Sequence, residues 1–166
     1  MNSADPWSAV KPNAGLLIDT NLLVLFIVGT VNPGRIETFK RTSGYEREDY
    51  KLLVRILDDF HPLYTLAHVM SEVSNLTDLT GRERLQARHL LKQHLDVLDE
   101  PQMPSRRAAQ DASFETLGLT DAAIATLARD KGCTVLTDDL DLYRILSAGG
   151  GAVLKFSHLR VHESSL

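Results

Sequence analysis

Short continuous hydrophobic runs alternate along this sequence with longer stretches in which apolar residues recur at helical spacing. The runs are Gly15–Ile18, Leu63–Thr65, Cys133–Thr137 and Ala152–Phe156. An uninterrupted apolar run of this length is typical of a strand buried on both faces of a parallel sheet. Because such strands alternate with helices, the pattern predicts an α/β fold with a mainly parallel sheet and right-handed crossovers.

Capping residues and loop formers set the expected ends of the helices. Thr80 with Glu83 matches a capping box, Ser105 and Thr120 are candidate caps, and Gly118 is a candidate helix end. The predicted helices cover about 20–28, 45–60, 69–76, 81–95, 105–116, 121–130 and 140–146.

The length of 166 residues, without an internal repeat or a long linker, predicts one domain that spans residues 1–166. The most apolar stretch, Leu22–Val28, is too short to cross a bilayer, and extending it would bury Asp19 and Asn21 in lipid. We therefore expect a buried helix there and no membrane partner. Cys133 is the only cysteine, which excludes an intrachain disulfide and favours a reducing, cytoplasmic location.

Acidic residues follow two of the predicted strands. Asp19 ends the first strand, and Asp138 and Asp139 end the strand over 133–137. Ligands of open α/β sheets bind outside the carboxyl ends of the strands, so these side chains are expected at that edge. Two further acids stand out: Asp121 lies in the first turn of its helix, where the helix dipole favours a carboxylate, and Glu72 interrupts an apolar helical stretch.

Each of these acids also has an ordinary structural interpretation. Asp19 fits a turn, Asp121 fits a helix start, Glu72 fits a solvated helix face, and Asp138 with Asp139 fits a loop and cap. Several carboxylates that converge on one edge would, however, repel one another unless cations neutralise them. Hard oxygen ligands suit Mg²⁺ or Mn²⁺ rather than zinc, and such a site can activate water and stabilise charge on a phosphate.

Four blocks of sequence, in this order, resemble the acidic motifs of the PIN-domain ribonuclease family, which includes the VapC-like toxins. The two more specific blocks are Gly118–Ile124 and Val135–Leu142, and the two others are Leu17–Asn21 and Ser71–Asn75. Together they cover about residues 16–156. The resemblance implies a three-layer α/β/α fold and Mg²⁺- or Mn²⁺-dependent endonuclease activity on RNA, single-stranded or structured.

The resemblance also implies roles for individual residues. Small bacterial members of the family are commonly toxins that a partner antitoxin inhibits, and a homodimer is expected. Carried over by position, the metal ligands are Asp19, Glu72, Asp121 and Asp139, with Asp19 and Asp121 as the principal ones. Thr137 belongs to the fourth motif, Asp138 is an adjacent candidate for the fourth acid, and Asn21 would support a metal-bound water or a ligand.

The interval between Asp19 and Glu72 is longer than in compact members of the family. We therefore expect a core over about 15–157 with an insertion over about 30–60, which is a candidate surface for a substrate or a partner. Outside the motifs, Arg84, Arg88 and Lys92 recur every four residues and form a basic stripe. The stripe is a candidate RNA contact, or alternatively a solvated helix face.

Two alternatives compete with a nuclease. One is a non-catalytic PIN-like scaffold that binds RNA or protein, although a scaffold has no need for crowded carboxylates. The other is a haloacid-dehalogenase-like phosphatase, which usually requires a second aspartate at the position of Asn21. The net charge of −4, from 18 basic and 22 acidic residues, first disfavours a nucleic-acid partner. Setting aside the four candidate ligands leaves 18 acidic residues against 18 basic ones, so the charge is no objection.

Overall fold

The centre of the molecule is a sheet of four parallel strands in the order β2-β1-β3-β4. This computed structural model describes Trp7, Val10 and residues 12–163. The strands are β1 (Leu16–Ile18), β2 (Leu63–Tyr64), β3 (Thr134–Thr137) and β4 (Val153–Lys155). All four were predicted, and β1 and β3 are buried along their whole length, as the continuous apolar runs indicated.

Helices cover both faces of this sheet and make a three-layer α/β/α fold, as the sequence predicted. Short 3₁₀ turns lie at Pro12–Ala14 and Pro33–Arg35. The α-helices are α1 (Thr20–Val31), α2 (Arg47–Asp58), α3 (Ala67–Leu76), α4 (Gly81–Leu95), α5 (Ser105–Ala108), α6 (Phe114–Leu117), α7 (Leu119–Lys131), α8 (Leu140–Ala148) and α9 (Phe156–Glu163).

Helix α1 is the buried helix that the apolar stretch 22–28 predicted. It contacts α2, α3 and α4, and its side chains at Leu22, Leu25 and Val28 are fully buried. None of the helices in the described residues is long and apolar enough to cross a membrane. The helix therefore belongs to the core and leads directly away from Asp19 at the end of β1.

The predicted single helix over 105–116 is wrong, because the chain forms α5 and α6 with a turn between them. Asp111 causes the break: its Oδ1 accepts hydrogen bonds from the backbone N–H of Ser113 at 2.9 Å and from the Ser113 hydroxyl at 2.6 Å. A side chain that bonds to nearby backbone in this way competes with helix formation. Arg129 and Thr126 of α7 also bind Asp111, which anchors the turn to the next helix. Gly118 ends α6 as predicted, at a φ of 84°.

Three predicted caps are also wrong: Thr80, Ser105 and Thr120. Ser105 lies inside α5, after Pro104, and its hydroxyl is 3.1 Å from His68 Nε2. Helix α4 does follow Thr80, but the Thr80 side chain makes no capping hydrogen bond. Glu83 instead accepts hydrogen bonds from Asn32 Nδ2 and Arg35 Nε, both at 2.8 Å, which ties the loop after α1 to α4. Thr120 lies inside α7, which begins after Gly118, and its hydroxyl is used elsewhere.

The segment between α1 and α2 consists of turns that are held by hydrogen bonds within the segment. The Thr42 hydroxyl is buried and donates to the Ile36 carbonyl at 2.7 Å. At the end of this segment, a capping box joins Glu46 and Asp49 at the start of α2. The division of the chain into one domain with a core and an insertion over 30–60 stays a prediction.

Helices α1 and α2 approach each other closely at Gly29, which generates a prediction for stability. A Cβ atom at Gly29 would overlap the ring of Tyr50. We expect Gly29→Ala to lower the free energy of unfolding by about 1–2 kcal/mol, since overpacking outweighs the higher helix propensity of alanine. Urea denaturation measures this change. Gly44→Ala, at a position with open space around it, is the matched control.

The same substitution in a Tyr50→Ala background has room for the added methyl group. There Gly29→Ala should no longer destabilise the protein. A Gly29→Ala variant as stable as the parent would contradict the close approach of the two helices.

Candidate active site

Asp19 and Asp139 follow the two central strands of the sheet and lie at its carboxyl edge. Strands β1 and β3 are paired in parallel, with Ile18 opposite Leu136. Strand β3 extends one residue further than β1, and each strand leads into a helix whose N-cap is one of these acids. The order strand, acid, helix is thus repeated side by side.

A single hydroxyl connects these two acidic positions. Thr137 Oγ1 donates to Asp19 Oδ2 at 2.6 Å and accepts from the backbone N–H of Asp139 at 2.9 Å. Asp19 is 4% exposed, and its Oδ1 accepts from the backbone N–H of Thr20 at 2.6 Å. Asp139 is half-buried, and its Oδ1 accepts from two N–H groups in the first turn of α8, both at 2.8 Å. Both carboxylates are therefore held in position by hydrogen bonds.

Glu72 of α3 faces the starts of two other helices. Its Oε2 accepts from Thr20 Oγ1 at 3.3 Å, and its Oε1 accepts from Thr120 Oγ1 at 2.5 Å. Asp121, next to Thr120 in the first turn of α7, is half-buried. Analysis of the sequence missed the roles of Thr20 and Thr120, although each threonine stands directly beside a candidate acid in its motif.

The pKa values of two of these acids show that the carboxylates interact. Burial and, to a smaller extent, the charges of Asp19, Asp139 and Glu72 raise the pKa of Asp121 to about 7. Burial also raises the pKa of Asp19 to about 6, against the lowering effect of the hydrogen bonds from Thr137 and Thr20. The structure therefore brings four of the sequence-predicted acids into one electrostatic cluster: Asp19, Glu72, Asp121 and Asp139.

Asp138, the other candidate for the fourth acid, is directed to different partners. Its Oδ2 accepts from the Tyr45 hydroxyl at 3.2 Å, and its Oδ1 accepts from the backbone N–H of Ser157 at 3.0 Å. Lys155 Nζ lies 3.4 Å from the same Oδ1. Since both carboxylate oxygens have partners on this side, the geometry favours Asp139 over Asp138 as the acid that faces Asp19.

The remaining candidates lie on the surface. Asn21 is exposed in the first turn of α1. In the basic stripe, Arg84 Nε donates to the Leu79 carbonyl at 2.9 Å, so this residue has a local structural role. Arg88 and Lys92 are exposed and line a groove between α3 and α4. Of the three residues of the stripe, Arg84 therefore binds the backbone near the start of α4, and Arg88 and Lys92 face solvent.

The donor set of the cluster fits a hard divalent cation. It consists of carboxylate oxygens, with threonine hydroxyls that orient them, and such oxygen ligands suit Mg²⁺ or Mn²⁺. As the side chains are placed, no group of three or more His, Cys, Asp or Glu among the described residues is arranged to hold a metal ion. Burial and the neighbouring carboxylates raise the pKa values of Asp19 and Asp121, and a bound cation would lower both.

Comparison with protein families identifies a match over most of the chain. The family model described as PIN domain matches residues 16–146, from β1 into α8. The matched range contains Asp19, Glu72, Asp121 and Asp139. No match is found among curated proteins.

The crowded carboxylates generate a prediction for stability without metal. A group whose pKa is raised on folding contributes stability below its unfolded pKa, near 4, and that contribution is lost as the pH rises through the folded value. For Asp121 that loss occurs between about pH 4 and the folded value of about 7. In EDTA at pH 8, Asp121→Asn should therefore be more stable than the parent by about 1 kcal/mol, because solvent screens a half-buried charge.

Thermal denaturation at pH 5 and pH 8 measures this effect, as a rise in Tm of about 2–4 °C at pH 8 for the variant. The gain at pH 5 should be smaller. Asp78→Asn, in the exposed loop after α3, is the control and should change neither value. A parent protein that equals or exceeds the Tm of Asp121→Asn at pH 8 would contradict the unfavourable burial and crowding of this carboxylate.

Proposed function

The chain belongs to the PIN-domain family, and we propose that it is a Mg²⁺- or Mn²⁺-dependent endoribonuclease. PIN domains are generally nucleases and typically use divalent metal ions. The reaction would be hydrolysis of an RNA phosphodiester bond. The substrate we propose is single-stranded or structured RNA.

One observation supports this proposal above the others: the Thr137 hydroxyl joins the carboxylate of Asp19 to the backbone of Asp139. Two acids that follow neighbouring strands are thereby fixed relative to each other. Asp121 and Glu72 lie close enough for their charges to interact with them. Keeping four carboxylates this close costs free energy, which a cation-binding site would explain.

In this proposal, each acid has a role that its surroundings support. Asp19, Asp121 and Asp139 would hold the metal, and Glu72 would complete the site as a ligand or act as the base. Bound Mg²⁺ or Mn²⁺ would lower the pKa of a water molecule and stabilise negative charge on the phosphate. Asn21, at the exposed start of α1, would support that water or a ligand.

Threonine hydroxyls would keep the acids in place. Thr137 orients Asp19, while Thr20 and Thr120 hold the two oxygens of Glu72 from opposite helices. The RNA backbone would follow exposed cations, for which Arg88 and Lys92 in the groove beside α3 are the candidates. Arg84 would contribute less, because its guanidinium is already bound to a carbonyl.

The two alternatives fare differently. A haloacid-dehalogenase-like phosphatase is not favoured, because the PIN domain model matches residues 16–146 and Asn21 stands where such an enzyme needs an acid. A non-catalytic scaffold that binds RNA or protein differs from the nuclease only in its activity. The cleavage experiment therefore distinguishes the scaffold from the nuclease.

That experiment compares the parent with Asp121→Asn on single-stranded RNA, with Mn²⁺ or with EDTA. We expect cleavage by the parent in Mn²⁺ only, and a loss of about 100-fold or more in the variant, because removal of a metal ligand removes several kcal/mol of transition-state stabilisation. Gel electrophoresis of end-labelled RNA measures the rate. Asp78→Asn should cleave like the parent.

The outcomes separate the candidate functions. Binding of RNA without cleavage, under Mg²⁺ and Mn²⁺ alike, would favour the scaffold. Equal cleavage by the parent and Asp121→Asn would overturn the proposed site.

The toxin role is a narrower proposal, which rests on the resemblance to VapC-like toxins. Expression of the parent in a bacterial host should then arrest growth, and expression of Asp121→Asn should not. Growth that is equal for both would argue for a nuclease without a toxin role. An inhibitory antitoxin and a homodimer belong to the same proposal, as does a cytoplasmic location.

A further inference from the structure

Asp138 stands next to a proposed metal ligand but has a different set of contacts. Its carboxylate is enclosed by the phenol of Tyr45 on one oxygen, and by Lys155 and the Ser157 N–H on the other. Its side chain is 19% exposed and that of Lys155 is 13% exposed, so the ion pair is largely shielded from solvent. Lys155 Nζ also donates to Ser157 Oγ at 2.7 Å, which fixes the position of the ammonium group.

Tyr45 comes from the segment between the first two acidic motifs and is itself held firmly. Its ring packs edge-on against Phe156, with 6.2 Å between the ring centroids, and the Arg160 guanidinium lies 5.8 Å from its centroid. Arg160 Nε is in turn 2.6 Å from Oδ1 of Asp49, whose Oδ2 accepts from the backbone N–H of Glu46. The start of α2 and helix α9 thus converge on one tyrosine.

The chemistry of Tyr45 makes it a hydrogen-bond donor to Asp138. Burial and the neighbouring charge of Asp138 raise the pKa of the phenol far above its ordinary value, so the hydroxyl stays protonated. Since an ionised carboxylate only accepts hydrogen bonds, the direction of this bond is fixed. A bond to a charged acceptor is also stronger than one between neutral groups.

From these contacts we propose that Tyr45 and Asp138 are positioning residues, which set the turn after β3 so that Asp139 faces Asp19 and Asp121. This inference rests on the proposed function, and it gives the predicted insertion a role in positioning the metal site through Tyr45. Asp138 would not bind the metal itself. Lys155, Ser157 and Arg160 lie beyond residue 146, where the family match ends.

The backbone carries the effect from Asp138 to Asp139. The two residues are adjacent, so a rotation of the turn that frees Asp138 also moves the Asp139 N–H away from Thr137 Oγ1. That hydroxyl is the group that orients Asp19. Loss of the Tyr45 hydroxyl should therefore loosen the metal site while the fold and the RNA surface stay unchanged.

Isothermal titration of the metal-free full chain with Mn²⁺ tests this inference. Tyr45→Phe and Asp138→Asn should each weaken Mn²⁺ binding about 10-fold, the lower end for groups that support a metal ligand. The double variant should bind no more weakly than Asp138→Asn alone, because both changes break the same hydrogen bond. Tyr50→Phe, which removes a hydroxyl bonded to Thr30, is the matched control and should bind Mn²⁺ like the parent.

Two further measurements separate positioning from general damage. In RNA cleavage at saturating Mn²⁺, Tyr45→Phe should lower kcat and leave KM unchanged. Its far-UV circular dichroism in EDTA should match that of the parent, which would show that the fold is retained.

Three results would overturn the inference. The first is parental Mn²⁺ affinity in Tyr45→Phe, and the second is additivity in the double variant. The third is a loss of binding in Asp138→Asn as complete as in Asp139→Asn, which would make Asp138 a ligand. If the parent and Tyr45→Phe both bind Mn²⁺ and cleave RNA equally well, the positioning role is wrong but the proposed nuclease function is retained. A parent that neither binds Mn²⁺ nor cleaves RNA overturns both.

Discussion

The burial of Asp19 and Asp121, together with repulsion from Glu72 and Asp139, is the constraint on which the rest of the structure depends. Buried carboxylates with raised pKa values oppose folding when they are ionised, unless other interactions offset the cost of desolvation and repulsion. The offset comes from apolar burial directly below them. Strands β1 and β3 are buried throughout, and α1 leads from Asp19 into the core. The least favourable charges are therefore attached to the most buried elements of the fold.

Much of this arrangement could be predicted from the sequence, because it depends on local patterns. Continuous apolar runs located the four strands, and the parallel fold then placed Asp19 and Asp139 at one edge. The features that could not be predicted depend on contacts between distant residues. Thr120 does not cap a helix, because its hydroxyl donates a hydrogen bond to Glu72, 48 residues away in the chain. Glu83 leaves the expected capping box because Asn32 and Arg35 supply better donors.

The choice between Asp138 and Asp139 has the same physical origin. The resemblance to the family favours Asp139, but by local pattern alone the two residues are equivalent neighbours, and either fits a loop after a strand. They differ in what lies against them: Tyr45 is 93 residues away from Asp138 in the chain. A cap such as the one Asp139 provides for α8 is visible in sequence only once the helix start is known to a single residue.

The hydrogen bonds from Asn32 and Arg35 to Glu83 limit the places at which this chain can gain or lose residues. Asn32 and Arg35 fix one end of the segment to α4, while Tyr45 and Asp49 fix the other end to Asp138 and Arg160. Between these anchors, the exposed turn at Lys40 and Arg41 is bound to neither. Insertions or deletions there would leave both anchors in register, so evolution can reshape the tip of this segment without moving the carboxylates.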